Sequence, residues 1–467
     1  MSRIYISAAH RSSGKTTLSI GLCAAFHQQG LMVQPFKKGP DYIDPLWLSK
    51  ASGRSCHNLD FNTQSHDEIL STLHHYGQGA DINIIEGNLG LYDGMALDGS
   101  DSNAAVAKLT KSPVVLVIDT RGVTRGVAPL LLGYQQFEKD IEIAGVIYNM
   151  SNGGRHETRL RAVTEEYTDI PVLGVVKKNP LMVVDERHLG LMPSNESKVA
   201  SQKVADIANI VADSVDLEAV MAVAASAEPL KNIEPLNLNN IETSKKLRLG
   251  ICEDSAFGFY YAHDKLALEQ AGAELISFSP LDDEKLPDNL DGLFIGGGFP
   301  ETHMNQLGDN KTMRESIYDA IENGLPTYAE CGGLMYLSQN LHWNKQSAPM
   351  VGIIPANTQM HDKPQGRGYV KLEETDAMPW TQDKTDASAE IINAHEFHYS
   401  SIDDVTAMEA KGDFAYKVHR GFGITGKYDG WVYKNLLANY SHMRDTERFH
   451  WASRFMAFVS TINEKSK

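Results

Sequence analysis

Residues 4–17 read Ile-Tyr-Ile-Ser-Ala-Ala-His-Arg-Ser-Ser-Gly-Lys-Thr-Thr, an apolar run followed by a polar loop and the start of a helical segment. This order predicts a phosphate-binding loop, because backbone N–H groups and a helix N-terminus then face the phosphates of a nucleotide. Lys15 is expected to reach the β- and γ-phosphates, and the Thr16 hydroxyl is expected to bind Mg²⁺. The predicted nucleotide-binding residues are Ser13, Gly14, Lys15, Thr16 and Thr17. The loop departs from the usual pattern at Ala9, where Gly is common, and a chance Gly-Lys-Thr in a loop is the alternative.

Short runs that are apolar throughout alternate with helical stretches in the N-terminal half. Strands are expected at Ile4–Ser7, Ile82–Glu86, Val114–Asp119 and Ile143–Asn149, and a helix is expected at Thr16–Gln29. Continuous apolar runs are typical of parallel strands that are covered on both faces. The pattern therefore predicts a doubly wound α/β domain.

The stretch AEPLKNIEPLNLNNIETSKK at 227–246 is polar and contains two prolines, which indicates a linker. A surface excursion within one domain is the alternative. The α/β rhythm restarts after it, with strands expected at Leu247–Cys252 and Leu293–Ile295. We therefore predict two doubly wound domains, an N-terminal P-loop NTPase sheet at 1–226 and a second α/β sheet at 247–467.

Two segments that carry acids follow predicted strands of the N-terminal half. Pro35-Phe-Lys-Lys-Gly-Pro-Asp-Tyr-Ile-Asp-Pro45 follows the second strand, and Glu86 ends the strand at Ile82–Glu86. Ligands bind at the carboxyl edge of open α/β sheets, where these segments are expected to lie. The expected substrate and activation residues are Lys37, Asp41, Tyr42 and Asp44, and the expected metal ligands are Thr16, Asp44 and Glu86. Asp93, in the segment that follows Glu86, is a further candidate metal ligand. Capping and turn formation are the alternative roles of Asp41, Asp44 and Asp93.

Cys331 stands between a predicted strand and a predicted helix, in Thr327-Tyr-Ala-Glu-Cys-Gly-Gly-Leu-Met-Tyr-Leu337. A nucleophile on such an elbow is lifted above the sheet, and the following helix N-terminus favours its thiolate. Gly332 and Gly333 let the turn close. The expected oxyanion hole consists of the backbone N–H groups of Gly297, Gly298 and Gly332. A small packed residue is the alternative role for a lone cysteine.

A thiol nucleophile needs a base, and three histidines are candidates. His395 and His398 lie in Asn393-Ala-His-Glu-Phe-His-Tyr-Ser400, and His442 lies in Ala438-Asn-Tyr-Ser-His-Met443. Their spacing does not choose between them, although His442 follows an apolar strand-like run, which suits a base on a loop.

The composition excludes several classes of protein. A chain of 467 residues is too long for one ordinary core, and its formal net charge of −17 argues against a nucleic-acid partner. Its longest apolar runs, such as Val114–Ile118, are too short to span a bilayer, so no membrane partner is expected. The four cysteines form no CxxC pair and the N-terminus shows no signal peptide, which favours a cytoplasmic enzyme.

With these motifs in this order, the sequence resembles the cobyrinate a,c-diamide synthases. That family fuses a dethiobiotin-synthetase-like ATPase domain to a class I glutamine amidotransferase domain. The matching stretches span nearly the whole chain and are Gly14-Lys-Thr16, Pro35-Phe-Lys37, Gly39-Pro-Asp-Tyr-Ile-Asp-Pro45, Glu186-Arg-His-Leu-Gly-Leu191, Ala256-Phe257, Phe259-Tyr-Tyr261, Gly296-Gly-Gly-Phe-Pro-Glu301, Glu330-Cys-Gly-Gly333 and His395-Glu-Phe-His-Tyr-Ser400.

The resemblance implies that ATP converts a peripheral carboxylate of a corrin-type ring into an acyl phosphate. It implies that Cys331 attacks the amide of glutamine with His442 as the base, and that a glutamyl thioester forms as ammonia is released. The ammonia then travels inside the protein to the acyl phosphate, and the cycle repeats on a second carboxylate. The implied ligands are ATP as co-substrate, Mg²⁺, L-glutamine and a tetrapyrrole polycarboxylate. The oligomeric state is left open, a homodimer being one outcome.

Departures from the family patterns leave two points open. His442-Met-Arg444 stands where class I amidotransferases usually have His-Pro-Glu, so a Cys–His dyad is implied and the third member of a triad is not identified. The altered phosphate loop and Asn88 leave open the same chemistry on hydrogenobyrinate, sirohaem or nickel sirohydrochlorin. A P-loop switch ATPase with a non-catalytic C-terminal domain is the alternative from another class. The elbow at Cys331 argues against it, because a binding module needs no poised thiol.

Overall fold

The computed structural model describes residues 1–187, 190–196, 199–236, 246–380 and 391–465. The chain divides into two compact units, Met1–Leu236 and Asn237–Lys467. Part of the predicted linker, 237–245, lies outside the described residues, as do positions 188–189 of the motif that begins at Glu186. Residues 227–236, the described part of that linker within the N-terminal unit, form neither helix nor strand.

Helices and strands alternate along the N-terminal unit. In chain order they are β1 (Arg3–Ala8), α1 (Lys15–Gln28), β2 (Val33–Lys38), α2 (Ile43–Ser52), β3 (His57–Leu59), α3 (His66–Gly77), β4 (Ile82–Glu86), α4 (Asn103–Leu109), β5 (Val114–Asp119), α5 (Val127–Phe137), β6 (Ile143–Ser151), α6 (Gly154–Tyr167), β7 (Val172–Lys177), β8 (Glu186–Arg187), β9 (Gly190–Leu191), α7 (Ala200–Ser214) and α8 (Leu217–Ala225), with a 3₁₀ turn at Pro180–Met182.

Seven parallel strands among the described residues form the sheet of this unit, in the order β3-β2-β4-β1-β5-β6-β7. Alternate residues of β1 enter different cores, since Ile4 and Ile6 pack in one apolar cluster and Tyr5 packs in another. Both faces of the sheet are therefore covered, which confirms the predicted doubly wound α/β fold. The carboxyl ends of the neighbouring strands β2, β4 and β1 meet at one edge, because Glu86 pairs with both Lys37 and Ile6.

The C-terminal unit begins with the same alternation and continues with a series of antiparallel strands. Its elements are β10 (Leu247–Cys252), β11 (Phe257–Phe259), α9 (Ala262–Gln270), β12 (Ala273–Phe278), β13 (Gly292–Ile295), β14 (Gly297–Gly298), α10 (Met304–Asp309), α11 (Lys311–Glu322), β15 (Thr327–Glu330), α12 (Gly332–Leu337), β16 (Asn340–Trp343), β17 (Gln346–Pro349), β18 (Thr358–Met360), β19 (Gly366–Glu374), β20 (Ile392–His398), β21 (Ser400–Ile402), α13 (Val405–Lys411), β22 (Asp413–Arg420), β23 (Tyr428–Tyr433), β24 (Leu436–Asn439) and α14 (Trp451–Lys465), with a 3₁₀ turn at Pro300–His303.

In the part of this unit that the structure describes, the main sheet has nine strands in the order β12-β10-β13-β15-β24-β23-β22-β19-β20. The first five are parallel, as the α/β rhythm predicts. The last four run antiparallel to their neighbours and are an addition that the sequence did not predict. Strands β13 and β15 end at the glycine segment of β14 and at Cys331, so both predicted motifs lie at one edge of the sheet. No helix in the described ranges is long and apolar enough to cross a membrane.

Candidate active sites

The phosphate loop connects β1 to α1 and is held by side chains that the sequence did not predict. Gly14 has a left-handed backbone (φ 87°), and a Cβ at this position would lie 2.2 Å from Asn149 Nδ2. That amide nitrogen donates a hydrogen bond to the Ser13 carbonyl at 2.9 Å. The Tyr134 hydroxyl donates to the Ala9 carbonyl at 2.5 Å. Ala9 itself lies outside the left-handed region, so this position does not require the glycine of the usual pattern.

Lys15 and Thr16 begin α1 and face buried charged groups, and Thr17 follows them in the first turn. The Lys15 side chain is buried, and this burial, together with the nearby Lys37 ammonium, lowers its pKa to about 8. The Thr16 hydroxyl donates to Glu86 Oε1 at 2.7 Å and to Asp44 Oδ2 at 3.2 Å. The Thr16 hydroxyl therefore connects the phosphate loop to a carboxylate of α2 and to the carboxylate at the end of β4.

Lys37 lies at the centre of the carboxylates at this edge. Its Nζ is 2.5 Å from Asp44 Oδ2, 2.8 Å from Glu86 Oε1 and 3.8 Å from Asp41 Oδ2, and its side chain is only 2% exposed. Burial disfavours the ammonium, but the Asp44 and Glu86 carboxylates outweigh it and raise the pKa of Lys37 well above its usual range. Burial, with Asp44 beside it, raises the pKa of Asp41 to about 7. The cluster therefore holds a permanent cation among carboxylates that compete for it.

Some predicted acids also have the structural roles that the sequence left as alternatives. Asp41 Oδ1 accepts hydrogen bonds from the backbone N–H groups of Ile43 and Asp44, at 2.9 and 3.1 Å, and so caps the start of α2. Asp93 Oδ2 accepts from the N–H of Gly90 at 3.1 Å, which is a turn contact. Tyr42 is buried at the residue before α2.

The predicted metal ligands can be tested against the donors present. Glu86 Oε2 is fully buried, and no described residue gives it a hydrogen bond. Among the described residues, no group of three or more His, Cys, Asp or Glu side chains has metal-binding geometry. Mg²⁺ commonly binds one or two carboxylates and completes its shell with substrate phosphates and water. The hydroxyl of Thr16, the two carboxylates of Asp44 and Glu86, and the free Oε2 atom therefore fit a Mg²⁺ ion that arrives with a nucleotide.

Cys331 occupies the strained turn between β15 and α12. Its backbone has φ 47° and ψ −99°, a conformation that side-chain-bearing residues rarely adopt outside functional turns. Its N–H donates to the Asn439 carbonyl at 2.7 Å, which ties the turn to the end of β24, and its side chain is 6% exposed. The thiol therefore stands at the end of a parallel strand and before a helix N-terminus, as the sequence predicted.

Of the three candidate histidines, the structure places His442 against the thiol. The His442 side chain is hydrogen bonded to Cys331, and its Nδ1 lies 3.4 Å from Glu330 Oε2. Burial alone lowers the pKa of His442, but the negative charges of Cys331 and Glu330 outweigh it and raise that pKa to about 10. His395 stacks on the His442 ring with 4.9 Å between the ring centroids, and His398 stacks on Tyr440 instead.

The predicted oxyanion glycines pack tightly around this pair. A Cβ on Gly297 would lie 2.7 Å from His442 Cε1, and a Cβ on Gly332 would lie 2.9 Å from the backbone nitrogen of Gly298. A Cβ on Gly298 would lie 2.0 Å from the Ala256 carbonyl oxygen. A side chain at any of these three positions would force its neighbours to move; Gly297 lies against the imidazole, and Gly332 directly follows Cys331.

Glu330 is the site residue that sequence reasoning missed. It ends the buried strand β15, and its side chain is 3% exposed. The same signal singled out Glu86, because a carboxylate at the end of a buried strand needs a partner. Applied to Glu330, that rule would have pointed to this carboxylate as well.

Comparison with known proteins assigns a domain family to each unit. Residues 6–189 match the CobQ/CobB/MinD/ParA nucleotide binding domain, and residues 248–448 match the CobB/CobQ-like glutamine amidotransferase domain. A cobyrinate a,c-diamide synthase of Magnetococcus marinus is 44% identical over 454 residues, which cover 96% of this chain and 95% of that protein. The chain belongs to the cobyrinate a,c-diamide synthase family. Family members from Methanosarcina acetivorans and Caldanaerobacter subterraneus are 39% and 37% identical, over 94% and 100% of this chain and 92% and 100% of their own lengths.

As a member of this family, the chain is a glutamine-hydrolysing amidating ligase that uses ATP. Its two compact units correspond to the two activities, since the nucleotide-binding match lies in the first and the amidotransferase match lies in the second. The match of the second unit to a glutamine amidotransferase domain also contradicts the alternative of a switch ATPase with a non-catalytic second domain.

Proposed function

We propose that this enzyme amidates the a and c side-chain carboxylates of cobyrinate in cobalamin biosynthesis. The observation that carries the proposal is that one chain combines a phosphate loop facing buried carboxylates with a thiol–imidazole pair on an elbow. The first site suits carboxylate activation by ATP, and the second suits release of ammonia from glutamine. The names of relatives that align along nearly the whole chain supply the acceptor.

In the synthetase half, an oxygen of the ring carboxylate attacks the γ-phosphorus of ATP. The bond from that phosphorus to ADP breaks, and an acyl phosphate and ADP form. Lys15, at the start of α1, offsets the negative charge on the phosphates. Thr16, Asp44 and Glu86 would hold Mg²⁺, which would neutralise charge that develops as the phosphoryl group moves.

The acyl phosphate is then consumed by ammonia. The nitrogen attacks the acyl carbon, the carbon–oxygen bond to phosphate breaks, and the departing phosphate takes one proton from the nitrogen. The product is a primary amide and inorganic phosphate. Two such cycles, each using one ATP and one glutamine, give the a,c-diamide.

In the glutamine half, the sulfur of Cys331 attacks the side-chain amide carbon. The N–H groups of Gly297, Gly298 and Gly332 would donate hydrogen bonds to the oxygen that becomes negative in the tetrahedral intermediate. The carbon–nitrogen bond breaks as His442 gives its proton to the leaving nitrogen, so ammonia departs and a glutamyl thioester remains. Water then attacks the thioester and passes a proton to His442, and glutamate leaves as the thiolate re-forms.

A panel of acceptors tests the proposal. Purified enzyme is incubated with ATP, Mg²⁺ and glutamine, and separately with cobyrinate, hydrogenobyrinate, a sirohaem-type ring or nickel sirohydrochlorin. Mass spectrometry counts the amides, and cobyrinate is expected to gain two at the highest rate. Carboxylate labelled with ¹⁸O should transfer one labelled oxygen to phosphate for each amide formed. Faster amidation of another ring would identify that ring, and not cobyrinate, as the acceptor. The absence of ¹⁸O transfer would contradict an acyl phosphate intermediate.

A further inference from the structure

His442 needs a group that accepts the proton on its Nδ1, and the usual position for that group is occupied by a cation. Two residues after His442 the chain has Arg444, whose guanidinium lies 5.2 Å over the Tyr261 ring. A guanidinium has no acceptor for an imidazole N–H. The acid that faces Nδ1 comes instead from another strand, because Glu330 Oε2 lies 3.4 Å from Nδ1.

The register of two parallel strands explains how Glu330 reaches this position. Glu330 ends β15 and pairs with Asn439 at the end of β24, three residues before His442. Side chains of consecutive strand residues normally point to opposite faces. The backbone of Cys331, at φ 47°, no longer has the conformation of a strand. The consecutive side chains of Glu330 and Cys331 therefore contact the same imidazole.

The Glu330 carboxylate is held in a fixed orientation. Its Oε1 accepts hydrogen bonds from the Tyr328 hydroxyl at 2.5 Å and from the Met443 backbone N–H at 2.9 Å. These two donors leave Oε2 directed at His442, and both side chains are 3% exposed. A distance of 3.4 Å is long for such a bond, but catalytic hydrogen bonds often tighten only once substrate is bound.

The contact determines which nitrogen of His442 carries a proton in the neutral ring. A carboxylate at Nδ1 requires the proton there, which leaves Nε2 as the nitrogen that exchanges a proton with Cys331 and with the leaving ammonia. The same carboxylate stabilises the imidazolium, in agreement with the raised pKa of His442. The charged and titratable side chains around this pair include His395, Asp264, Arg444, Tyr328, Tyr416 and Tyr440.

We propose that Glu330 is the positioning residue of the glutamine site and forms, with Cys331 and His442, a triad whose acid directly precedes its nucleophile. This inference rests on the roles proposed above for Cys331 and His442. Glu330 does not touch glutamine; it acts through the orientation and charge of His442.

Replacement of the carboxylate by an isosteric amide tests the inference. In Glu330→Gln the amide oxygen still accepts from Tyr328 and Met443, but its NH₂ group faces Nδ1 and favours the wrong tautomer. We expect kcat for glutamine hydrolysis to fall by about 10²- to 10⁴-fold, as in other triads that lose this acid, with little change in KM. Glu330→Asp keeps the charge and should recover part of the rate. The matched control is Glu374→Gln, which removes a carboxylate bound to Arg454 elsewhere in the same sheet and should leave kcat unchanged.

The pH dependence of thiol alkylation separates positioning from a merely structural role. A glutamine-analogue electrophile should label Cys331 at neutral pH in the wild type, and in Glu330→Gln the profile should move to higher pH. A kcat within about twofold of wild type, or an unchanged alkylation profile, would overturn the proposal.

Two further measurements test the triad if Glu330→Gln does not fold and separate its failure from failure of the proposed function. If Glu330→Gln does not fold, ¹⁵N-histidine NMR of the wild type must still show a hydrogen-bonded Nδ1–H for His442, identified by its loss in His442→Gln, and its absence would overturn the proposal. Cys331→Ser and His442→Gln are assayed alongside. Retained hydrolysis in those two variants would refute the proposed function, whereas loss in them alone, with Glu330→Gln active, would refute only the triad.

Discussion

Replacement of Lys37 by methionine tests whether its ammonium neutralises the carboxylates of the nucleotide site when no metal is bound. The ammonium contacts Asp44 and Glu86 at 2.5 and 2.8 Å, and both carboxylates also contact the Thr16 hydroxyl that we assign to Mg²⁺. Lys37 therefore acts as a resident counter-cation among the expected metal ligands. Methionine keeps most of the side-chain length but removes the charge.

The size of the effect follows from burial. Loss of one partner of a buried ion pair costs about 3–5 kcal/mol, because the remaining charges stay buried without compensation. For a domain the size of the N-terminal unit, each kcal/mol lowers the melting temperature by about 2–4 °C, which gives a decrease of roughly 6–20 °C. Burial and the neighbouring Asp44 already raise the pKa of Asp41 to about 7. Protonation of Asp41 would therefore reduce the destabilisation, and we expect a decrease in melting temperature near the lower end of this range.

Thermal melts with and without Mg²⁺, in the absence of nucleotide, provide the assay. Mg²⁺ should raise the melting temperature of Lys37→Met more than that of the wild type, because the carboxylates have lost their cation. Lys108→Met is the control, since that lysine is exposed and its pairs with Glu138 and Asp140 are worth about 0–1 kcal/mol. Equal melting temperatures for Lys37→Met and wild type, or equal responses to Mg²⁺, would show that Lys37 is not the cation that neutralises these carboxylates.

Three other predictions concern the glutamine site. Cys331→Ser should abolish glutamine-dependent amidation and retain amidation with added ammonium salt; loss of both in a folded variant would contradict separate sites. Gly297→Ala places a methyl group where His442 Cε1 is 2.7 Å away, so glutamine hydrolysis should fall by about 10²-fold, and hydrolysis at the wild-type rate would show that the ring can move freely. The pKa of His442 is raised from 6.5 to about 10, so its stabilising contribution is complete below about pH 6.5 and is lost as the pH rises to about 10. The difference in melting temperature between wild type and His442→Gln should therefore shrink across that window, and a constant difference would contradict the raised pKa.

Local patterns in the sequence were enough to predict the parallel core of both units. Strand β4 has the predicted bounds Ile82–Glu86, and the loop at Gly14 connects a strand to a helix as expected. Continuous apolar runs leave little choice, because both faces of such strands must be covered. Polar and apolar residues are mixed in the antiparallel strands β19, β20, β22 and β23, so the sequence did not distinguish them from loops.

What sequence reasoning missed depends on contacts between distant residues. The role of Cys331 was predicted from its own neighbours. Spacing alone did not choose His442 over His395 and His398; the family resemblance did, and in the structure the pairing of β15 with β24 brings His442 to the thiol. The contact of Glu330 with His442 joins residues 112 positions apart and depends on the left-handed turn at Cys331. No spacing rule within one sequence reveals such a register.

The proposed mechanism requires that nitrogen released at Cys331 reaches the activated carboxylates of the ring. The most direct measurement supplies cobyrinate, ATP, Mg²⁺ and [amide-¹⁵N]glutamine together with an excess of unlabelled ammonium salt, and determines the isotope in each product amide by mass spectrometry. This mechanism should give ¹⁵N at both the a and the c position with the wild type, and only unlabelled amides with Cys331→Ser. Unlabelled amides from the wild type, or ¹⁵N amides from Cys331→Ser, would contradict it.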